Sequence, residues 1–148
     1  MAIPNSINPA DMNRMMVYTS IFAGLNEHEQ NMLAEKCVLE ERGANEVVIK
    51  QGDIGDRLYF IAKGNVLVSR LSESKQMKRI TTLTVGDVFG EISVLRNVPR
   101  TAYVTTLTPC TFLTIDGKSY MNIYQYFSPA SRNNIQLIIE KRLKQQKL

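Results

Sequence analysis

The sequence predicts an α+β domain, an antiparallel β jelly-roll barrel flanked by N-terminal helices and a C-terminal helix. Three observations carry this. Helix signals occupy the two ends, the middle consists of short β-rich runs broken by glycine, and 148 residues suit one hydrophobic core better than two.

Taken in order, Asn8, Pro9 and Asp11 read as a helix start, with an asparagine cap and a proline in the first turn, opening a short helix over residues 8–18. After the tight connection IFAGL, a second helix begins at Asn26. The spacing of Asn26 to Glu29 is that of a capping box, and Met32, Leu33 and Cys37 supply its apolar face. From Val38 to Ile115 the pattern changes. The runs VVIKQ, RLYFIA, NVLVSRL, RITTLTV, TAYVTTL and TFLTI are separated by GDIGD, KG, SESKQMK, GD and TP, a spacing that fits an antiparallel sandwich or barrel. Helix returns over residues 116–124. After FSP comes a last helix, in which Ile135, Ile138, Ile139 and Arg142 share one face. The chain is thus divided into an N-terminal helical segment (1–37), a β jelly roll (38–115) and C-terminal helices (116–148), all in one domain.

Composition excludes several functions. The chain is 44% hydrophobic and 22% charged, with no run approaching the roughly 20 apolar residues of a membrane span. Its N-terminus lacks the basic start and apolar block of a secretory signal, so a cytoplasmic location is expected. The formal charge of +4 is mild and concentrated in EKRLKQQKL, which as a helix reads as a solvated face. Cys37 and Cys110 lack C-x-x-C spacing and are expected as small buried residues. The one histidine, His28, falls on a helix, as an exposed first-turn residue. That leaves no ligand set for a metal in the barrel and no Ser-His-Asp or Cys-His arrangement, so neither a metal site nor a catalytic residue is expected and the chain does not read as an enzyme.

One stretch stands out between two strands. FGEISVLRNVPRTA, residues 89–102, sets an acid, Glu91, and an arginine, Arg100, among mostly apolar and small neighbours. Alone, Arg100 would suit a surface ion pair and Gly90 a turn. Together they describe an anion site. Gly90 permits a backbone posture closed to other residues, after which EISVL forms a short helical turn with free N–H groups at its start. Such a turn attracts a phosphate, and the planar fork of Arg100, held on the next strand by Pro99, grips the same group. A carboxylate repels phosphate, so Glu91 needs a donor, and a ribose 2′-hydroxyl is one.

At these residues the sequence resembles the cyclic nucleotide-binding domain family and its phosphate-binding cassette, here residues 89–104. The matching positions are Phe89, Gly90, Glu91, Ile92, Ser93, Val94 and Leu95, then Pro99, Arg100, Thr101, Ala102 and Val104, with Tyr103 departing from a usually small hydroxyl residue. IFAGL, KQGDIGDRLYFIAKGNVLV and GDVFGE extend the resemblance over about residues 16–145. It implies a regulatory sensor whose ligand is cGMP or cAMP, with no other cofactor. Gly90 and Glu91 would take the ribose, and Arg100 with the amides near Ile92 and Ser93 the cyclic phosphate. Ala102 belongs to the same cassette, and Thr101 stands where a hydroxyl favours cGMP. Val68, Leu83 and Val85 would line the base pocket. The last helix becomes a lid, in which Ile138 or Ile139 covers the base and Lys141 or Arg142 touches its edge. An effector such as a kinase or channel is implied, but no helix-turn-helix for DNA follows the lid and no kinase motif is present. The alternative is a homologue that binds no nucleotide and serves as an interaction scaffold.

Overall fold

The architecture was obtained from a computed structural model, which describes residues 25–145. Eight strands form two antiparallel sheets of four, in the orders β1-β8-β3-β6 and β2-β7-β4-β5. The strands are β1 (Val38–Arg42), β2 (Val47–Ile49), β3 (Arg57–Lys63), β4 (Val66–Leu71), β5 (Met77–Leu83), β6 (Val88–Phe89), β7 (Tyr103–Thr106) and β8 (Cys110–Asp116). Helix α1 (Glu27–Lys36) precedes them, α2 (Glu91–Arg96) interrupts them, and α3 (Gly117–Tyr124) and α4 (Pro129–Gln145) follow. The expected jelly roll and its flanking helices are therefore present, while the helix expected over residues 8–18 lies outside the described residues.

Two apolar clusters sit on opposite faces of the first sheet. Strand alternation sorts them: Tyr59 and Ile61 of β3, with Phe112 of β8, point between the sheets, and Leu58 and Phe60, with Leu113 and Ile115, point outward to the helices. Burial on both faces explains why LYFIA, after Arg57, reads as an unbroken apolar run. Inside the barrel, Tyr59 stacks on Phe89 at 4.8 Å between ring centres, and Phe112 meets Phe89 edge-on at 5.3 Å. Outside it, Leu33 of α1, Tyr120 and Ile123 of α3 and Ile135 and Ile139 of α4 complete the helical cluster. As expected, both cysteines are buried and His28 is exposed. Burial pushes the Cys37 thiol up to about 12, so it stays protonated.

The capping box of α1 forms in full: Asn26 Oδ1 accepts from the Glu29 N–H at 2.8 Å, and Glu29 Oε1 from the Asn26 N–H at 3.0 Å. Asp116 caps α3 by accepting from the Ser119 N–H at 2.9 Å, which holds its carboxyl below the usual range. No helix among the described residues is long and apolar enough to cross a membrane.

Candidate nucleotide-binding cleft

A cleft, partly open to solvent, opens along the second sheet beside α2. Its walls are apolar, with Ile49, Val68, Ile80, Leu83 and Val104 from the strands and Phe89 beneath. Its polar end is formed by Gly90, Glu91, Ser93, Arg100 and Thr101.

Local sequence explains this end. Gly90 has φ 89°, a left-handed posture that suits glycine, and it caps α2 with backbone alone. A Cβ there would stand 2.7 Å from the Arg57 carbonyl and 3.0 Å from Arg100 Nη1, so the turn also requires glycine for space. From this start α2 directs Glu91 and Ser93 inward, both buried, and Asn97 ends it in a left-handed posture.

Arg100 is only 7% exposed. Its Nη1 donates to the Gly90 carbonyl at 2.9 Å and to Ser93 Oγ at 2.6 Å, and its Nη2 to the Arg57 carbonyl at 2.9 Å. None of these three acceptors is charged. Burial lowers the guanidinium's pKa, and the charges of Tyr59, Asp56 and Glu91 oppose that shift. The arginine does not lie on a strand as expected from Pro99. It sits in the connection before β7, where its N–H donates to the Asp53 carbonyl and its carbonyl accepts from the Gly52 N–H, each at 2.8 Å. The 52–56 loop thus acts as a backbone partner in place of a sheet neighbour, and it brings Gly55 against the guanidinium. Chemically, the arrangement offers a cation and a carboxylate at one end of an apolar slot, which suits a ligand with an anion, a donor and a flat apolar part.

The sequence pattern of the family described as the cyclic nucleotide-binding domain matches residues 39–127. The chain belongs to this family. Among relatives of the domain, the cAMP-dependent protein kinase regulatory subunit of Yarrowia lipolytica is 30% identical over 103 residues, covering 70% of this chain and 27% of that protein. The cGMP-dependent protein kinase of Plasmodium berghei is 35% identical over 85 residues, covering 57% of this chain and 9% of that protein. The chain therefore spans only a small part of these relatives. Among solved structures, the regulatory domain of Toxoplasma gondii PKA crystallised with cAMP superposes with a TM-score of 0.72 at 25% identity, covering 78% of this chain and 44% of that one.

The cyclic nucleotide-binding domain brings Gly90, Glu91, Ile92, Ser93, Arg100, Thr101, Ala102, Val68 and Leu83 together around the cleft. Val85 is not brought there. It falls just past the end of β5 and is 56% exposed, because the strand ends at Leu83 and Gly86 turns the chain. Of the α4 residues, Ile138, Ile139 and Lys141 do not line the cleft either. Ile139 is fully buried in the helical cluster and Ile138 packs against it, Lys141 is exposed, and the Arg142 side chain lies outside the described residues. Ile49, Ile80 and Thr81 are wall residues that the sequence pattern did not mark, and Phe89 and Val104 were marked only as matching positions of the cassette. For Ile80 and Thr81, the alternating pattern of RITTLTV was the available signal.

Proposed function

We propose that the domain binds a cyclic nucleotide, cAMP or cGMP, in this cleft and passes binding on to an effector as a rearrangement of the helices outside the barrel. The observation that carries this is the pairing of a buried carboxylate, Glu91, with a buried guanidinium, Arg100, at the polar end of an apolar slot. Arg100 and the first-turn amides of α2 take the cyclic phosphate, and Glu91 accepts from the ribose 2′-hydroxyl. Val68, Leu83, Ile80 and Val104 receive the base. Thr101, on the cleft wall, supports a lean to cGMP. With Ile138 and Ile139 packed in the helical cluster, lid closure means that α4 leaves its present seat, a state a ligand favours only through contacts made there and not here. The effector is of the kind found in the relatives, a kinase or a channel.

Calorimetric titration with cAMP and cGMP tests the proposal on the parent protein, Arg100→Ala and Glu91→Gln. Losing one member of a buried hydrogen-bonded charge pair costs about 2 to 5 kcal/mol, or roughly 30- to several-thousand-fold in affinity. Arg100→Ala should reach that range with the fold intact by circular dichroism, and Glu91→Gln should lose less and discriminate poorly against 2′-deoxy analogues. A parent that binds neither nucleotide, or an Arg100→Ala protein that binds as the parent does, overturns the assignment.

A further inference from the structure

Glu29 is 2% exposed, a burial that a glutamate tolerates only with partners, and nothing in the cleft uses it. Its place in the capping box of α1 accounts for one hydrogen bond, from the Asn26 N–H. The same carboxylate also reaches the far end of the chain. Oε2 accepts from the Ser128 N–H at 2.8 Å, and Oε1 accepts from Ser131 Oγ at 2.9 Å. These two serines open α4: the Ser131 N–H donates to Ser128 Oγ at 3.1 Å, with Pro129 in the first helical position. The two hydroxyls are themselves joined at 2.9 Å. One carboxylate therefore satisfies donors at the starts of two helices that lie at opposite ends of the domain's sequence.

The seat that this node fixes is the one in which Ile135 and Ile139 are fully buried in the helical cluster and no described side chain of α4 lines the cleft. We infer that Glu29 is a latch that pins the start of α4 to α1 and holds α4 away from the cleft. What the latch resists rests on the nucleotide-binding proposal; its existence does not. When α4 moves toward the cleft, Ser128 and Ser131 withdraw from a charged acceptor, so the strength of this node sets how far the resting state is favoured. The substitution Glu29→Gln keeps the size of the side chain but replaces one acceptor oxygen by an NH₂ group, setting donor against donor.

Hydrogen exchange on the ligand-free chain tests the latch first, with Glu29→Gln, Ser131→Ala and the double variant. In Glu29→Gln, amides of residues 128–132 should exchange about 10- to 100-fold faster, the worth of a charged hydrogen bond, while β3 and β8 keep their protection. The double variant should match Glu29→Gln alone, because both changes act on one node. Calorimetry with cAMP and cGMP then reads the consequence: Glu29→Gln should bind more tightly than the parent, by up to the same factor. A cap of purely structural value would leave affinity unchanged or weaken it. Unchanged exchange at residues 128–132, additive effects, or affinity that fails to rise each overturn the latch. Should Glu29→Gln fail to fold, Ser131→Ala carries the same comparisons with smaller shifts in the same direction. If the parent binds no nucleotide, the functional proposal falls, and exchange and additivity alone decide whether the latch exists.

Discussion

Gly55→Ala should cost the domain its ligand although Gly55 does not itself line the cleft. A Cβ on Gly55 would overlap the Arg100 guanidinium at Nε and Cζ. Two responses are open. Either the 52–56 loop moves and breaks the two 2.8 Å backbone bonds that join Gly52 and Asp53 to Arg100, or the guanidinium leaves. The side chain is the softer element, and it surrenders hydrogen bonds to Gly90, Ser93 and Arg57. At about 0.5 to 1.5 kcal/mol net for each bond, the three set an upper range of about 1.5 to 4.5 kcal/mol, reduced by about 0.4 to 1 kcal/mol because alanine restricts the unfolded chain. Urea unfolding should show that loss, and calorimetry should show nucleotide affinity falling as far as in Arg100→Ala, roughly 30-fold or more. The decisive comparison is Gly55→Ala in the Arg100→Ala background. With the guanidinium already absent, the added methyl should cost almost nothing. A full cost there would mean that the methyl meets backbone, and parental nucleotide affinity in Gly55→Ala would refute the reasoning outright.

Thr101→Ala should weaken cGMP more than cAMP, by about 0.5 to 1.5 kcal/mol for one neutral hydrogen bond, read by competitive titration; equal losses would remove Thr101 from base selection. Asp116→Ala removes the cap of α3 and should cost about 0.5 to 2 kcal/mol at neutral pH. Because the carboxyl's pKa is lowered in the folded state, that contribution is complete above the ordinary carboxylate range and disappears as pH falls through the folded value. The unfolding curves of parent and variant should therefore converge in acid, and a gap that persists there would show that the cap works without charge.

Most of the barrel was legible because its signals are local. The run RLYFIA could not be anything exposed, and the capping box announced α1. β1 was harder to see, since VLEER carries charge at three of its five positions and becomes a strand only by pairing with β8. β6, two residues long, exists only through β3. The cassette was readable for a different reason: glycine, acid and arginine stand within the eleven consecutive residues 90–100, so their joint pattern survives without the fold. What could not be read is long-range. The acceptors of Arg100 include a carbonyl 43 residues away, and Glu29 finds its serines 99 and 102 residues on, separations that no local periodicity encodes. α4 shows the same division: the spacing of Ile135 and Ile139 marked a buried face, but not that the helical cluster, and not the cleft, buries it.

Ile92 ties these two regions together. Among the described residues it alone both lines the cleft and belongs to the helical cluster. The reason lies in α2 itself, where Glu91 and Ser93 flank Ile92 in sequence and the helix lies between the cleft and the outer helices, packing on α3 and α4. A displacement of α2 by a ligand at Glu91 and Arg100 must therefore move the side chain on which the outer helices rest. Ile92→Val trims one methyl group at a cost of about 0.5 to 1.5 kcal/mol, small enough to keep the fold. It leaves the hydrogen bonds of Arg100 in place, so nucleotide should still bind. The helices should respond less: ligand-induced changes in hydrogen exchange at α3 and α4 should shrink relative to the parent at equal occupancy of the cleft. An undiminished response at saturating nucleotide would mean that coupling runs through another contact and that Ile92 only fills space.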